Sequence, residues 1–181
     1  MNTKMHKLNL KSINDDGTFE GYASVFNYTD HHGDCVEKGA FAKSITKLTP
    51  KKLKMLWQHN QEKPIGVWES VYEDDYGLYV KGRLLLDVEQ AREAYSFLKA
   101  GVIEGLSIGY MPVQHFYDPQ KKATILKEVD LLEISLVTFG ANDQARVTNV
   151  KKTNSIAERL NNIKAALEYL LKTVMTSTAL Y

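Results

Sequence analysis

A single cysteine, Cys35, stands among 181 residues, so no disulfide can form within the chain. The expected setting is therefore an intracellular, reducing compartment. No stretch approaches the roughly 20 apolar residues of a membrane span. Residues 1–10 interleave lysine with apolar side chains and hold no apolar core run, so no signal peptide is expected. An excess of one charge is missing too. The 23 basic and 22 acidic residues leave a formal net charge of +1, which argues against a dedicated nucleic-acid binder. Neither Cys-x-x-Cys nor His-x-x-x-His spacing occurs. His31, His32, Asp34 and Cys35 are of metal-ligand type, but five adjacent positions cannot easily wrap one ion, so neither a metal nor another cofactor is expected. Internal repeats and low-complexity segments are absent.

Hydrophobic residues make up 44% of the chain, enough for one domain with a sizeable core. Alternation predicts strands over 7–13 and 18–26, joined at Asn14-Asp15-Asp16-Gly17. Residues 28–35 read as a polar loop bent at Gly33. A short helix over 39–48 carries Phe41, Ile45 and Leu48 on one side, and Pro50 breaks it. Further strands are expected at 53–58, 65–72 and 78–86. A helix should start at Asp87, with Gln90 closing a capping box, Ala91, Ala94, Tyr95 and Leu98 as its stripe, and Gly101 as its stop. Strands over 106–117 and 124–139 follow. Beyond a polar linker at 149–154, a last helix repeats Ile156, Leu160, Ile163, Leu167, Leu170 and Val174 at coiled-coil spacing. Self-association, as a dimer, or a place on the domain surface both suit that helix. The expected architecture is α+β: an antiparallel β-barrel over 1–150 with a few surrounding helices, then a linker and C-terminal amphipathic helix over 151–181.

Gly105-Leu106-Ser107-Ile108-Gly109 sets a serine between two glycines inside an apolar, strand-like run. Bare backbone there lets another chain approach and turns N–H groups toward a carbonyl oxygen. A serine hydroxyl is a weak nucleophile until a positioned base takes its proton. Five histidines compete for that task. His6 and His115 lie on strands, His115 eight residues beyond Ser107, and His31 and His32 lie in a polar loop. His59 ends the apolar strand Met55-Leu56-Trp57-Gln58, where a scaffold presents a catalytic group. Glu133 has apolar neighbours on both sides in a strand that reads as buried, and a histidine partner relieves the cost of burying its carboxylate. Asp130 and Glu128 are weaker candidates for that third position. Oxyanion donors are sought in the backbone near Ser107, Ile108 and Gly109, and in Arg146. A Gly-x-Ser-x-Gly esterase would order its triad serine, acid, histidine on a strand–turn–helix, which this chain does not offer.

Five separated blocks, in order, carry a resemblance. They are Gly21-Tyr22-Ala23-Ser24-Val25-Phe26 with Asp30, Gly33-Asp34 and Gly39-Ala40-Phe41; Leu56-Trp57-Gln58-His59 with Pro64-Ile65-Gly66-Val67-Trp68; and Gly77-Leu78-Tyr79-Val80-Lys81-Gly82. The last two are Leu98-Lys99-x-Gly101 with Gly105-Leu106-Ser107-Ile108-Gly109-Tyr110, and Leu132-Glu133-Ile134-Ser135-Leu136-Val137-Thr138-Phe139 with Ala141-Asn142. From Gly21 to Thr148 the chain resembles the prohead (capsid maturation) serine proteases of tailed bacteriophages, a family that looks related to herpesvirus assemblin. The resemblance implies an endopeptidase inside the immature capsid, in the host cytoplasm. It would cut scaffold or the scaffolding arm of the major capsid protein, and finally itself. It also implies His59 as base, Ser107 as nucleophile and, on a less direct match, Glu133 as third member. Gly140 departs from the pattern, where a proline is expected. A non-catalytic scaffolding protein is the competing class.

Overall fold

The computed structural model describes residues 16–149. The predicted strand over 7–13, His6, the linker beyond Asn149 and the C-terminal helix lie outside the described residues. One long strand, β7 (Ala123–Val137), is the spine, because it takes partners on both edges. Along one edge runs β6 (Gly105–Asp118), antiparallel, with Ser107 opposite Ser135 and Gly109 opposite Glu133. Along the other edge lie β2 (Asp34–Val36) and β3 (Lys54–Trp57), both parallel to β7. From β3 the sheet continues antiparallel through β4 (Asn60–Glu73), β5 (Gly77–Leu84) and β1 (Thr18–Val25) to β8 (Val147–Asn149).

The sheet curls far enough for residues 145–147 to stitch its two ends. Tyr22 N–H donates to Arg146 O at 3.0 Å, and Leu106 N–H donates to Ala145 O at 3.0 Å. The sheet is thus a mixed, curled half-barrel rather than a purely antiparallel barrel. Side-chain alternation reports which face is buried but not strand direction, and the long connection from β3 to β7 leaves a parallel pairing open.

Two helices pack on this sheet. In α1 (Ala42–Lys47) the buried Ser44 Oγ accepts from Leu131 N–H, while Phe41 ahead of the helix is fully buried. In α2 (Glu89–Ala100) Ala91 and Ala94 are buried and Gly101 ends the helix at φ 67°. The expected capping box at Asp87 does not form. Val88 occupies the N-cap, no side chain caps it, and Gln90 instead accepts from Lys63 and donates to Glu93. The carbonyls of Leu86 and Asp87 receive the Arg92 guanidinium at 3.1 and 3.2 Å.

The core centres on Trp68, which lies across from Gly82 in the β4–β5 register. A Cβ at position 82 would approach Trp68 Cε3 to 2.7 Å, so the bare backbone is what lets the indole lie over β5. Phe19 meets the indole edge-on at 5.7 Å, and Nε1–H donates to Lys54 O at 3.3 Å, under the strand that leads to His59. Trp68→Ala is expected to cost about 3–5 kcal/mol of folding stability, read as a lowered midpoint in denaturant unfolding.

Candidate active site

The sequence expects a loop after β3. The chain instead turns in two residues, since Trp57 pairs with Asn60 and β4 has already begun before Pro64. Gln58 and His59 both adopt positive φ, 55° and 59°, as a tight right-twisting hairpin requires. Neither is glycine, so each residue costs about 1–2 kcal/mol of backbone strain. The end of β7 offsets it. Gln58 N–H donates to Leu136 O at 2.9 Å, and the Gln58 side chain exchanges two hydrogen bonds with Thr138. His59 N–H donates to Ser135 Oγ at 3.1 Å.

This turn aims the imidazole across β7 toward β6. His59 Nδ1 lies 2.6 Å from Glu133 Oε1, and His59 Nε2 lies 3.0 Å from Ser107 Oγ. The three predicted side chains therefore meet in one hydrogen-bonded row, although 48 and 74 residues separate His59 from its two partners along the chain. Glu133 is 9% exposed. Its bond to His59 raises the imidazole pKa above the ordinary 6.5, burial of the ring opposes that rise, and the glutamate charge adds to it. Asp130 and Glu128 do not enter the row; Glu128 instead receives Lys43 at 2.6 Å.

Gly109 has a role beyond the one read from sequence. It stands directly across from Glu133, and a Cβ there would run into Oε1 and lie within 3.0 Å of Cγ and Cδ. Its bareness makes room for the acid. The ladder also sorts the backbone donors. Leu106 N–H points away from β7, to Ala145 O. By strand alternation Ile108 N–H points the same way, while Gly109 N–H turns into the ladder with β7. Ile108 N–H, unlike Gly109 N–H, therefore lies outside the ladder with β7. Gly109→Ala is expected to displace Glu133 and slow catalysis by roughly 100-fold, the scale of a 1 Å misplacement, with the folded spectrum retained. Steady-state rate and circular dichroism on one sample check it.

A cavity opens beside Ser107, His59 and Ile108, walled by Ala23, Ser24, Asp34, Tyr110 and Asn142. Tyr110 O–H donates to Asp34 Oδ2 at 2.5 Å, fixing the 28–36 loop against β6. Burial first, and then the Asp34 carboxylate, push the phenol pKa well up. Arg146 is not in this wall. Its Nε donates to Asp143 O at 2.7 Å and its Nη1 sits 3.9 Å from Glu104, in the adjoining hollow. The other described histidines are occupied elsewhere or exposed: His31 meets Asp143 at 2.9 Å, His32 lies on the cavity rim, and His115 is exposed on β6. Cys35 is buried, and that burial raises its thiol pKa against the opposing pull of Lys121 and of the Thr29 hydrogen bond, which disfavours a thiolate. Among the described residues no group of three metal-ligating side chains comes together, and no helix is long and apolar enough to cross a membrane.

Ser135 was not singled out by sequence reasoning. The signal was present, because two residues past Glu133 on one strand places both on one face.

The mixed, curled sheet is a fold shared with a viral capsid protease. The bacteriophage T4 capsid assembly protease superimposes with a TM-score of 0.50 and 14% identity, covering 66% of this chain and 81% of that one. The chain belongs to the caudovirus prohead serine protease family, whose model matches residues 6–161. It is 39% identical over 142 residues to the prohead protease of Enterobacteria phage HK97, covering 77% of this chain but only 63% of that protein. It is also 30% identical over 152 residues to a capsid polyprotein of Pseudomonas phage PAJU2, covering 80% of this chain and 22% of the polyprotein.

Proposed function

We propose that the chain is a serine endopeptidase of prohead maturation. In this reading His59 Nε2 removes the proton of Ser107 as Oγ attacks a peptide carbonyl carbon. Glu133 holds the imidazolium through Nδ1–H, and Ile108 N–H receives the oxyanion. Collapse passes the His59 proton to the leaving amine. Water then attacks the acyl-serine, His59 again taking the proton. The observation that carries the reading is the unbroken row from Glu133 through His59 to Ser107, at 2.6 and 3.0 Å, in a chain of this family. No cofactor enters any step.

The substrate is scaffold or the scaffolding arm of the major capsid protein, together with the enzyme's own chain, inside the immature capsid in the host cytoplasm. A relative that occurs within a capsid polyprotein supports a target of that kind. The heptad-like spacing of 156–174 supports a dimer, checked by sedimentation of the full chain against a form ending at residue 151. The competing class, a scaffolding protein without catalysis, leaves the strained turn and the row without a purpose. Co-expression with the phage's own capsid protein, followed by intact-mass measurement, decides between them. The reading expects a shortened capsid protein with the wild type and full-length protein with Ser107→Ala. Full-length protein in both would sink it.

A further inference from the structure

Ser135 is fully buried and opposite Ser107 in the β6–β7 register. Its hydroxyl is held at two points. It accepts from His59 N–H at 3.1 Å and lies 2.6 Å from Glu133 Oε2. A backbone N–H can only donate, so it takes a lone pair of the hydroxyl and turns the single hydroxyl proton toward the carboxylate. Glu133 then accepts at Oε2 from Ser135, which leaves Oε1 to accept from His59 Nδ1–H. With the proton on Nδ1, Nε2 presents a lone pair to Ser107 Oγ at 3.0 Å.

We propose that Ser135 is a positioning residue that sets the proton direction along the whole row. The inference rests on His59 serving as base to Ser107. A chain of four groups takes its polarity from one immovable N–H, that of His59 itself. The same hydroxyl also holds the strained turn, because His59 at φ 59° keeps its N–H only by donating to Ser135. Turn and acid are thereby tied to one oxygen, and the imidazole moves relative to neither. Alanine at 135 leaves both the His59 N–H and Glu133 Oε2 without this partner, and the ring is then free to rotate or exchange tautomers.

The test measures the rate at which a fluorophosphonate labels the full chain. Ser135→Ala is expected to slow labelling by about 10- to 100-fold. In a Glu133→Gln background the same change should cost at least about threefold less, because the carboxylate it oriented has gone and only the His59 N–H contact is still lost. Equal slowing in both backgrounds, alongside an equal fall in Tm, is the mark of a core filler and overturns the inference. Should alanine fail to fold, Ser135→Thr and Ser135→Val have the same shape and differ in the hydroxyl. Threonine is expected to label at least tenfold faster than valine, and equal rates overturn the inference alone. Labelling that persists in Ser107→Ala overturns the protease reading, and the inference with it.

Discussion

Replacing Ser107 with alanine is expected to lower peptide-bond cleavage by about 10,000-fold or more, while leaving the fold intact. The size follows from what is lost. Without Oγ there is no acyl-enzyme, and His59 can at best activate a water that nothing positions at 3.0 Å from Nε2. The fold should survive because Ser107 is only half-buried and its hydroxyl bonds to His59. Losing one such bond costs on the order of 1 kcal/mol. Progress curves on a capsid-derived peptide together with thermal melts check both halves. His59→Ala should match the rate loss, since the two residues act as one unit.

Glu133→Gln is expected to reduce the rate by about 100-fold or more and to move the pH profile toward acid. The sign follows from the causes of the His59 shift. The Glu133 hydrogen bond raises the pKa first, burial lowers it, and the glutamate charge raises it again. In the wild type, activity should therefore appear only as pH climbs through a value above 6.5. Glutamine removes the charge and leaves burial acting alone, so the acid limb slides to lower pH as the plateau falls. The same pairing affects stability in the matching sense. Its contribution is fully present below the unfolded histidine value and is lost as pH rises through the raised folded one. An unchanged acid limb in Glu133→Gln would mean that the carboxylate does not act on the imidazole.

Much of this site was legible in the chain because each member announces a local conflict. A serine flanked by glycines, a histidine at a strand end and a glutamate in an apolar run all break the pattern around them. Strand positions were legible too, since near-alternation marks the buried faces over 18–25 and 77–84 and an apolar run marks 54–57. Direction was not legible. Nothing local in β3 encodes a parallel partner 79 residues on, as in the pairing of Lys54 with Glu133. The tightness of the β3–β4 turn was hidden as well. Gln58 and His59 lack the asparagine–glycine signature of such turns, and the hydrogen bonds that hold them come from Ser135, Leu136 and Thr138. The surroundings of Arg146 were not legible either: its carbonyl accepts from Tyr22 N–H and its Nε donates to Asp143 O, contacts that no local pattern encodes.

The most direct measurement is to treat the full, concentrated chain with a fluorophosphonate and map the modified peptide by mass spectrometry. The account predicts one adduct, on Ser107, that forms readily in the wild type and fades in His59→Ala. An unmodified Ser107, or an adduct that forms equally fast without the imidazole of His59, would contradict it.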